Sequence, residues 1–156
     1  EVMGIDSTFL SAFAKSQIAC GTILPSKGKV FISIDDDNKK FILTIVKKLI
    51  DLNFQIVATK GTAKFLNDHN LKVETINKVK EGGSHIVNAI SDNKIDLVIN
   101  TTKTQGSIRD SYSIRRTALT FNIPYYTTIA GAKVAVDTIE HLKNNNLKVK
   151  SLQDLI

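Results

Sequence analysis

The chain has 156 residues, 42% of them hydrophobic, and a formal net charge of +6. That length suits one α/β domain with a buried core, and the longest apolar stretches fall far short of the ~20 residues a membrane helix needs. The positive charge is scattered, with Lys39, Lys47, Lys60, Lys78, Lys143 and Lys150 in separate segments. No arginine-rich run or aromatic-interleaved basic stripe accompanies it, so neither nucleic acid nor membrane is an expected partner.

Cys20 is the only cysteine, which excludes an internal disulfide. With no basic–apolar leader at the start, a reducing, cytoplasmic setting is expected. Glu1 stands where an initiator methionine would, so the chain reads as a piece of a longer protein.

Residues 5–19 carry Phe9, Leu10, Phe13, Ala14 and Ile18 at helical spacing, with Ser7 placed to cap. Gly21 to Gly28, with Pro25 and Ser26, reads as a linker. The expected division is therefore 1–27 as tail and linker and 28–156 as the compact domain. Lys29–Ile34 is a predicted strand, followed by a helix from Asn38 to Leu52. Phe54–Thr59 is the next strand, and Lys60-Gly61-Thr62 opens a helix reaching Asn70. Val73–Ile76 is a short strand, His85–Ser91 a helix, and Asp96–Asn100 an apolar strand buried on both faces. Ser111–Phe121 is a helix, Tyr125–Thr128 a strand and Ala132–Leu142 a helix. Repeated βα units of this length predict an α/β fold, a parallel, Rossmann-like sheet flanked by helices on both faces.

Ligands of such sheets bind beyond the carboxyl ends of the strands. Those ends gather Ser33, the turn Thr59-Lys60-Gly61-Thr62, Asn77-Lys78 and Asn100-Thr101-Thr102. Hydroxyls, amides and lysines beside helix amino termini suit a phosphate, and Gly61 permits close backbone approach. Lys39, at the start of its helix, is a further candidate charge. Asp35, Asp36 and Asp37 are expected to cap that helix, and no partner carboxylates stand at metal spacing elsewhere. No metal and no cofactor are expected in this chain.

The segments Gly28-Lys29-Val30-Phe31-Ile32-Ser33, Val57-Ala58-Thr59-Lys60-Gly61-Thr62-Ala63 and Asn77-Lys78-Val79-Lys80-Glu81-Gly82 resemble the methylglyoxal-synthase-like domain of carbamoyl phosphate synthase large chains. So do Ile99-Asn100-Thr101-Thr102, Asp110-Ser111 with Ile114-Arg115-Arg116, and Tyr126-Thr127-Thr128. The opening Glu-Val-Met-Gly-Ile-Asp-Ser-Thr-Phe, with Ala12-Phe13-Ala14-Lys15, resembles the end of the ATP-grasp half that precedes this domain.

The resemblance implies an allosteric effector-binding domain of a ligase that makes carbamoyl phosphate for pyrimidine and arginine biosynthesis. It implies ATP, Mg2+ (or Mn2+) and K+ in the parent enzyme, and as partners the ATP-grasp halves and a glutaminase small chain. A homo-oligomer is a further expected assembly. It assigns phosphate contacts of an effector such as UMP or IMP to Ser33, Lys39, Thr59, Lys60, Gly61, Thr62 and Lys78. Asn100, Thr101, Thr102 and Asp110 would meet ribose or base, and Thr127 a second effector or an interface.

The alternative is a phosphate-releasing lyase, as methylglyoxal synthases are. Those enzymes need a carboxylate where this chain has Ser84, which cannot act as a general base, and histidines where it has Asp35 and Ser107. No catalytic residue is therefore assigned. Ornithine-responsive members carry an acid where this chain has Tyr126, which speaks against that effector.

Overall fold

The computed structural model describes residues 1–78, 85–103, 105–149, 151 and 153, with the backbone alone for 105–110. The elements in chain order are α1 (Phe9–Ala19), β1 (Gly28–Ser33), α2 (Lys39–Asp51), β2 (Phe54–Ala58), α3 (Lys60–Asp68) and β3 (Glu74–Thr75). They continue with α4 (Ile86–Ser91), β4 (Leu97–Asn100), α5 (Gln105–Thr120), β5 (Tyr125–Tyr126) and α6 (Ile129–Asn144). The strands form one parallel sheet in the order β3-β2-β1-β4-β5. Val30 pairs with Ile56 on one side and Leu97 on the other, which makes β1 the central strand.

Alternation along β1 divides the core in two. Val30 and Ile32 face a cluster with Ile42, Val46 and Leu49 of α2, Leu66 of α3, and Val136 and Ile139 of α6. Phe31 faces the opposite layer, with Ile86 and Ile90 of α4 and Ile114 and Ala118 of α5. The helices therefore cover both faces, as the continuous apolar strands predict. Val30, Phe31, Ile32, Leu97, Val98 and Ile99 are completely buried, and at about 25 cal/mol per Å2 such burial is the main stabilising term of the fold.

The ends of the helices follow one rule. Asn53, Asn70, Asn93 and Asn122 each lie just beyond a helix with φ between 53° and 66°, the left-handed conformation that asparagine tolerates better than most residues. After α3, α4 and α5 the next amide turns back to the helix: Leu71 N–H donates to the Leu66 carbonyl, Lys94 to Ala89 and Ile123 to Ala118. These bonds satisfy carbonyls that the last turn would otherwise leave open.

Two expected caps differ. Thr8, not Ser7, caps α1, its hydroxyl accepting from the Ser11 amide at 3.3 Å. The Asp35–Asp37 run does not cap α2, because a 3-10 turn over Asp36–Asn38 intervenes and turns the carboxylates to other partners. Asp36 pairs with Lys39, Asp37 with Lys103, and Asp35 with Asn38 and Thr101.

Helix α1 packs on α6, where the Ser11 hydroxyl meets His141 Nε2 at 2.9 Å. At its other end Gln17 Oε1 accepts the Tyr126 hydroxyl at 3.0 Å. Among the described residues no helix is long and apolar enough to cross a membrane.

Candidate functional site

Strand β1 is followed in sequence by its neighbour on one side, β2, while β4 lies on its other side. Connections diverge at that point and leave a crevice beyond the strand ends. A cavity of about 100 Å3 occupies it. Ser33, Ile34 and Asp35 line it from the end of β1, Thr59 from the end of β2, and Asn100, Thr101 and Thr102 from the end of β4. Lys78 and, from α5, Ser111 and Ile114 complete the wall.

Hydrogen bonds between strand ends hold this wall. The Thr101 amide donates to the Ser33 carbonyl at 3.0 Å and the Thr59 amide to the Ile32 carbonyl at 3.3 Å, extending the sheet by one step on each side of β1. The Thr59 hydroxyl lies 3.3 Å from Ser33 Oγ, and the Asn100 side-chain amide donates to the Tyr125 hydroxyl at 3.2 Å. Thr59, Asn100 and Thr101 are all buried, so their polar groups are fixed before any ligand arrives. Pre-positioned donors of this kind lose little entropy on binding.

Asp35 is the charged group inside the wall. Its Oδ2 accepts from Thr101 Oγ1 at 2.5 Å and from Asn38 Nδ2 at 2.8 Å. Burial pushes its carboxyl up, but the bonds from Thr101 and Asn38 outweigh that and hold it below the ordinary carboxylate range. It is therefore ionised at neutral pH.

The structure brings six of the predicted residues together around one cavity: Ser33, Thr59, Lys78, Asn100, Thr101 and Thr102. Thr62 lies behind it, 1% exposed, its hydroxyl accepting the Ile34 amide at 3.1 Å. Lys60 and Gly61 form the exposed first turn of α3. Lys39 pairs with Asp36 at 2.6 Å and reaches toward that turn, since a Cβ on Gly61 would stand 3.9 Å from its Nζ. Thr127 is exposed and lines two other cavities, one with Gln17, Cys20 and Arg115, the other with Asp35, Asp37 and Lys103. The side chain of Asp110, the Gly82-Gly83-Ser84 loop and the side chain of Ser107 lie outside the described residues.

Four lining residues were not among those expected: Ile34, Asp35, Ser111 and Ile114. The strand-end rule that selected Ser33 applies equally to Asp35 two residues on. For Ser111 and Ile114 the signal was their i, i+3 spacing on α5, which puts both on one helix face. Among the described residues no group of three or more His, Cys, Asp or Glu side chains stands positioned for a metal ion.

An open parallel sheet with helices on both faces and a polar crevice at its switch point defines a Rossmann-like α/β domain. Residues 41–127 match the MGS-like domain family, and the chain belongs to it. It is 46% identical over 99% of its length to the carbamoyl phosphate synthase large chain of Mesorhizobium japonicum, and 45% identical over 100% to that of Myxococcus xanthus. It covers 13% and 14% of those two proteins. Against the carbamoyl phosphate synthase large chain, C-terminal section, of Methanopyrus kandleri it is 46% identical over 99% of its length and covers 29% of the relative. A methylglyoxal synthase from Elizabethkingia anophelis has the same fold, with a TM-score of 0.54 and 19% identity over 72% of this chain and 79% of that one.

Proposed function

We propose that this chain is the effector-binding domain of a carbamoyl phosphate synthase large chain, and that its effector is a nucleoside monophosphate such as UMP or IMP. The observation that carries the reading is the cavity at the switch point, lined by Ser33, Thr59, Asn100, Thr101 and Thr102 at the strand ends together with Lys78. Hydroxyl donors and a cation beside the start of α3 suit the oxygens of a phosphate. At about 100 Å3 the cavity is smaller than the roughly 300–1,000 Å3 of sites that enclose a whole drug-sized ligand. It takes a phosphate-sized group, and the nucleoside extends outward from it.

The effector acts by favouring one packing of the domain against the ATP-grasp body of the same large chain, with residues 1–27 as the junction and 28–156 as the sensing unit. A ligand shifts such an equilibrium only by its differential affinity for the two states, typically ~1–3 kcal/mol. In the whole enzyme this tunes a cytoplasmic ATP-dependent ligase that uses Mg2+ (or Mn2+) and K+ and receives ammonia from a glutaminase small chain, supplying pyrimidine and arginine biosynthesis.

Thermal unfolding of the chain with UMP, IMP and inorganic phosphate in parallel tests the reading. At ~100 Kd linkage adds ~2.7 kcal/mol. A shift with one nucleotide well beyond phosphate supports it; equal shifts with all three, or none, refute it. Titration of Lys78→Ala should then show affinity for that nucleotide reduced by roughly tenfold or more, the worth of a charge-assisted contact of ~1.5–3 kcal/mol.

A further inference from the structure

A cavity of about 370 Å3 lies between the end of α1 and the edge of the domain formed by α5 and β5. Gln17 and Cys20 line it from one side, and Arg115, Leu119, Ile123 and Tyr125 from the other. It shares no lining residue with the strand-end cavity, and its volume falls in the roughly 300–1,000 Å3 range of sites that enclose a small molecule.

Arg115 carries the only formal charge among the described residues that line it. Its guanidinium is half-buried, with Cζ 5.7 Å from the centroid of the Tyr125 ring, and makes no ion pair or hydrogen bond among the described residues. The half-buried Lys15, Lys29, Lys39 and Lys48, by contrast, each hold a carboxylate within 3.0 Å. Arg115 is thus a cation that the fold leaves uncompensated. A charge attracts more strongly where water is partly excluded, and the guanidinium fork matches the two oxygens of a carboxylate. Of its three nitrogens only Nε is closed to solvent, so the terminal pair that forms the fork stays accessible.

The remaining walls supply a further donor and an apolar seat. Gln17 Oε1 accepts the Tyr126 hydroxyl at 3.0 Å, which fixes the side-chain amide and leaves its nitrogen, with two N–H groups, as a donor. Leu119, 68% exposed, and the half-buried Ile123 and Tyr125 add apolar surface that a bound molecule would cover. We infer that this cavity is a second ligand site, taking a small monocarboxylate with an apolar body. Arg115 holds the carboxylate, Gln17 adds a donor from α1, and Leu119, Ile123 and Tyr125 cover the body. The site stands apart from the phosphate cavity, and its occupant touches both α1 and α5.

Calorimetric titration of the 156-residue chain with phenylacetate and its neutral isostere phenylacetamide tests this. Phenylacetate should bind more tightly by roughly tenfold or more, the worth of a charge-assisted contact. Arg115→Gln removes the charge and the fork and should bring phenylacetate down to the affinity of phenylacetamide. Cys20, the only cysteine and exposed, reports the place: its alkylation by iodoacetamide should slow at saturating phenylacetate. Equal affinities for the two compounds in the wild-type chain, or no binding of phenylacetate, overturn the site without any variant. A preference for phenylacetate that survives in a folded Arg115→Gln chain, or Cys20 alkylation at an undiminished rate, puts the carboxylate elsewhere and overturns it too.

Discussion

The Thr101 hydroxyl accepts the Asp35 amide at 3.1 Å and donates to the Asp35 carboxylate at 2.5 Å, clasping two residues 66 positions apart. This clasp joins the chain leaving β1 to the chain leaving β4 and fixes the floor of the crevice. Thr101→Val keeps the shape and removes both bonds. It should lower stability by ~1–3 kcal/mol, the cost of leaving the half-buried Asp35 amide unpaired and its carboxylate with Asn38 in place of two donors. Urea denaturation measures the loss, and the Asp35 carboxyl should titrate at higher pH in the variant, read by carboxyl NMR.

Gly28 opens β1 at φ +122°, and a Cβ there would stand 2.0 Å from Asp96 Oδ2. That oxygen is the acceptor for the Lys29 amide at 2.7 Å, so the clash cannot relax without breaking a bond. Gly28→Ala should cost ~1–3 kcal/mol from backbone strain, plus the displacement of Asp96. A melting temperature indistinguishable from the parent's would refute the assignment. Gly61 provides the control: its nearest foreign atom lies 3.9 Å away, so Gly61→Ala should be tolerated.

Burial, with a smaller contribution from Cys20, pushes the Tyr126 hydroxyl up to about 12. A group whose folded value exceeds its unfolded one stabilises the fold fully below the unfolded value, ~10 for tyrosine, and loses that contribution as pH rises toward the folded one. Stability should therefore fall between about pH 10 and 12, and Tyr126→Phe should flatten that part of the profile. Chemical denaturation across this range provides the comparison.

Lys48 of α2 bridges Asp137 at 2.7 Å and Glu140 at 2.8 Å on α6, and Lys133 also reaches Asp137. The hydrogen bonds it donates to Asp137 and Glu140 raise the Lys48 ammonium, so its contribution holds below the ordinary lysine value and fades as pH climbs through the folded one. The Asp137 carboxyl is pushed up by burial but lowered further by Lys133 and Lys48, and its contribution fades as pH falls through the folded value. Because the Lys48 side chain is 35% exposed, Lys48→Met should cost no more than about 1 kcal/mol, and less at 1 M salt. A salt-independent loss would point to packing of the lysine stem instead.

The alternation of apolar runs with helical periods was sufficient to read the α/β class from the sequence, because strands buried on both faces and helices buried on one leave different local patterns. The polar character of the strand ends was equally local, and Ser33, Thr59, Lys78, Asn100, Thr101 and Thr102 could be named from it. What each polar group does depends on atoms far along the chain. Thr62 looks like Thr59 in sequence, yet its hydroxyl turns inward because the Ile34 amide, 28 residues earlier, needs an acceptor. Asp35 looks like a cap, and becomes the charged wall of a cavity because the folding of β4 beside β1 delivers Thr101 to it. The residues set the elements and the chemistry available at their ends. Only the sheet order, which places β4 rather than β3 against β1, decides which of those ends face one another across the crevice.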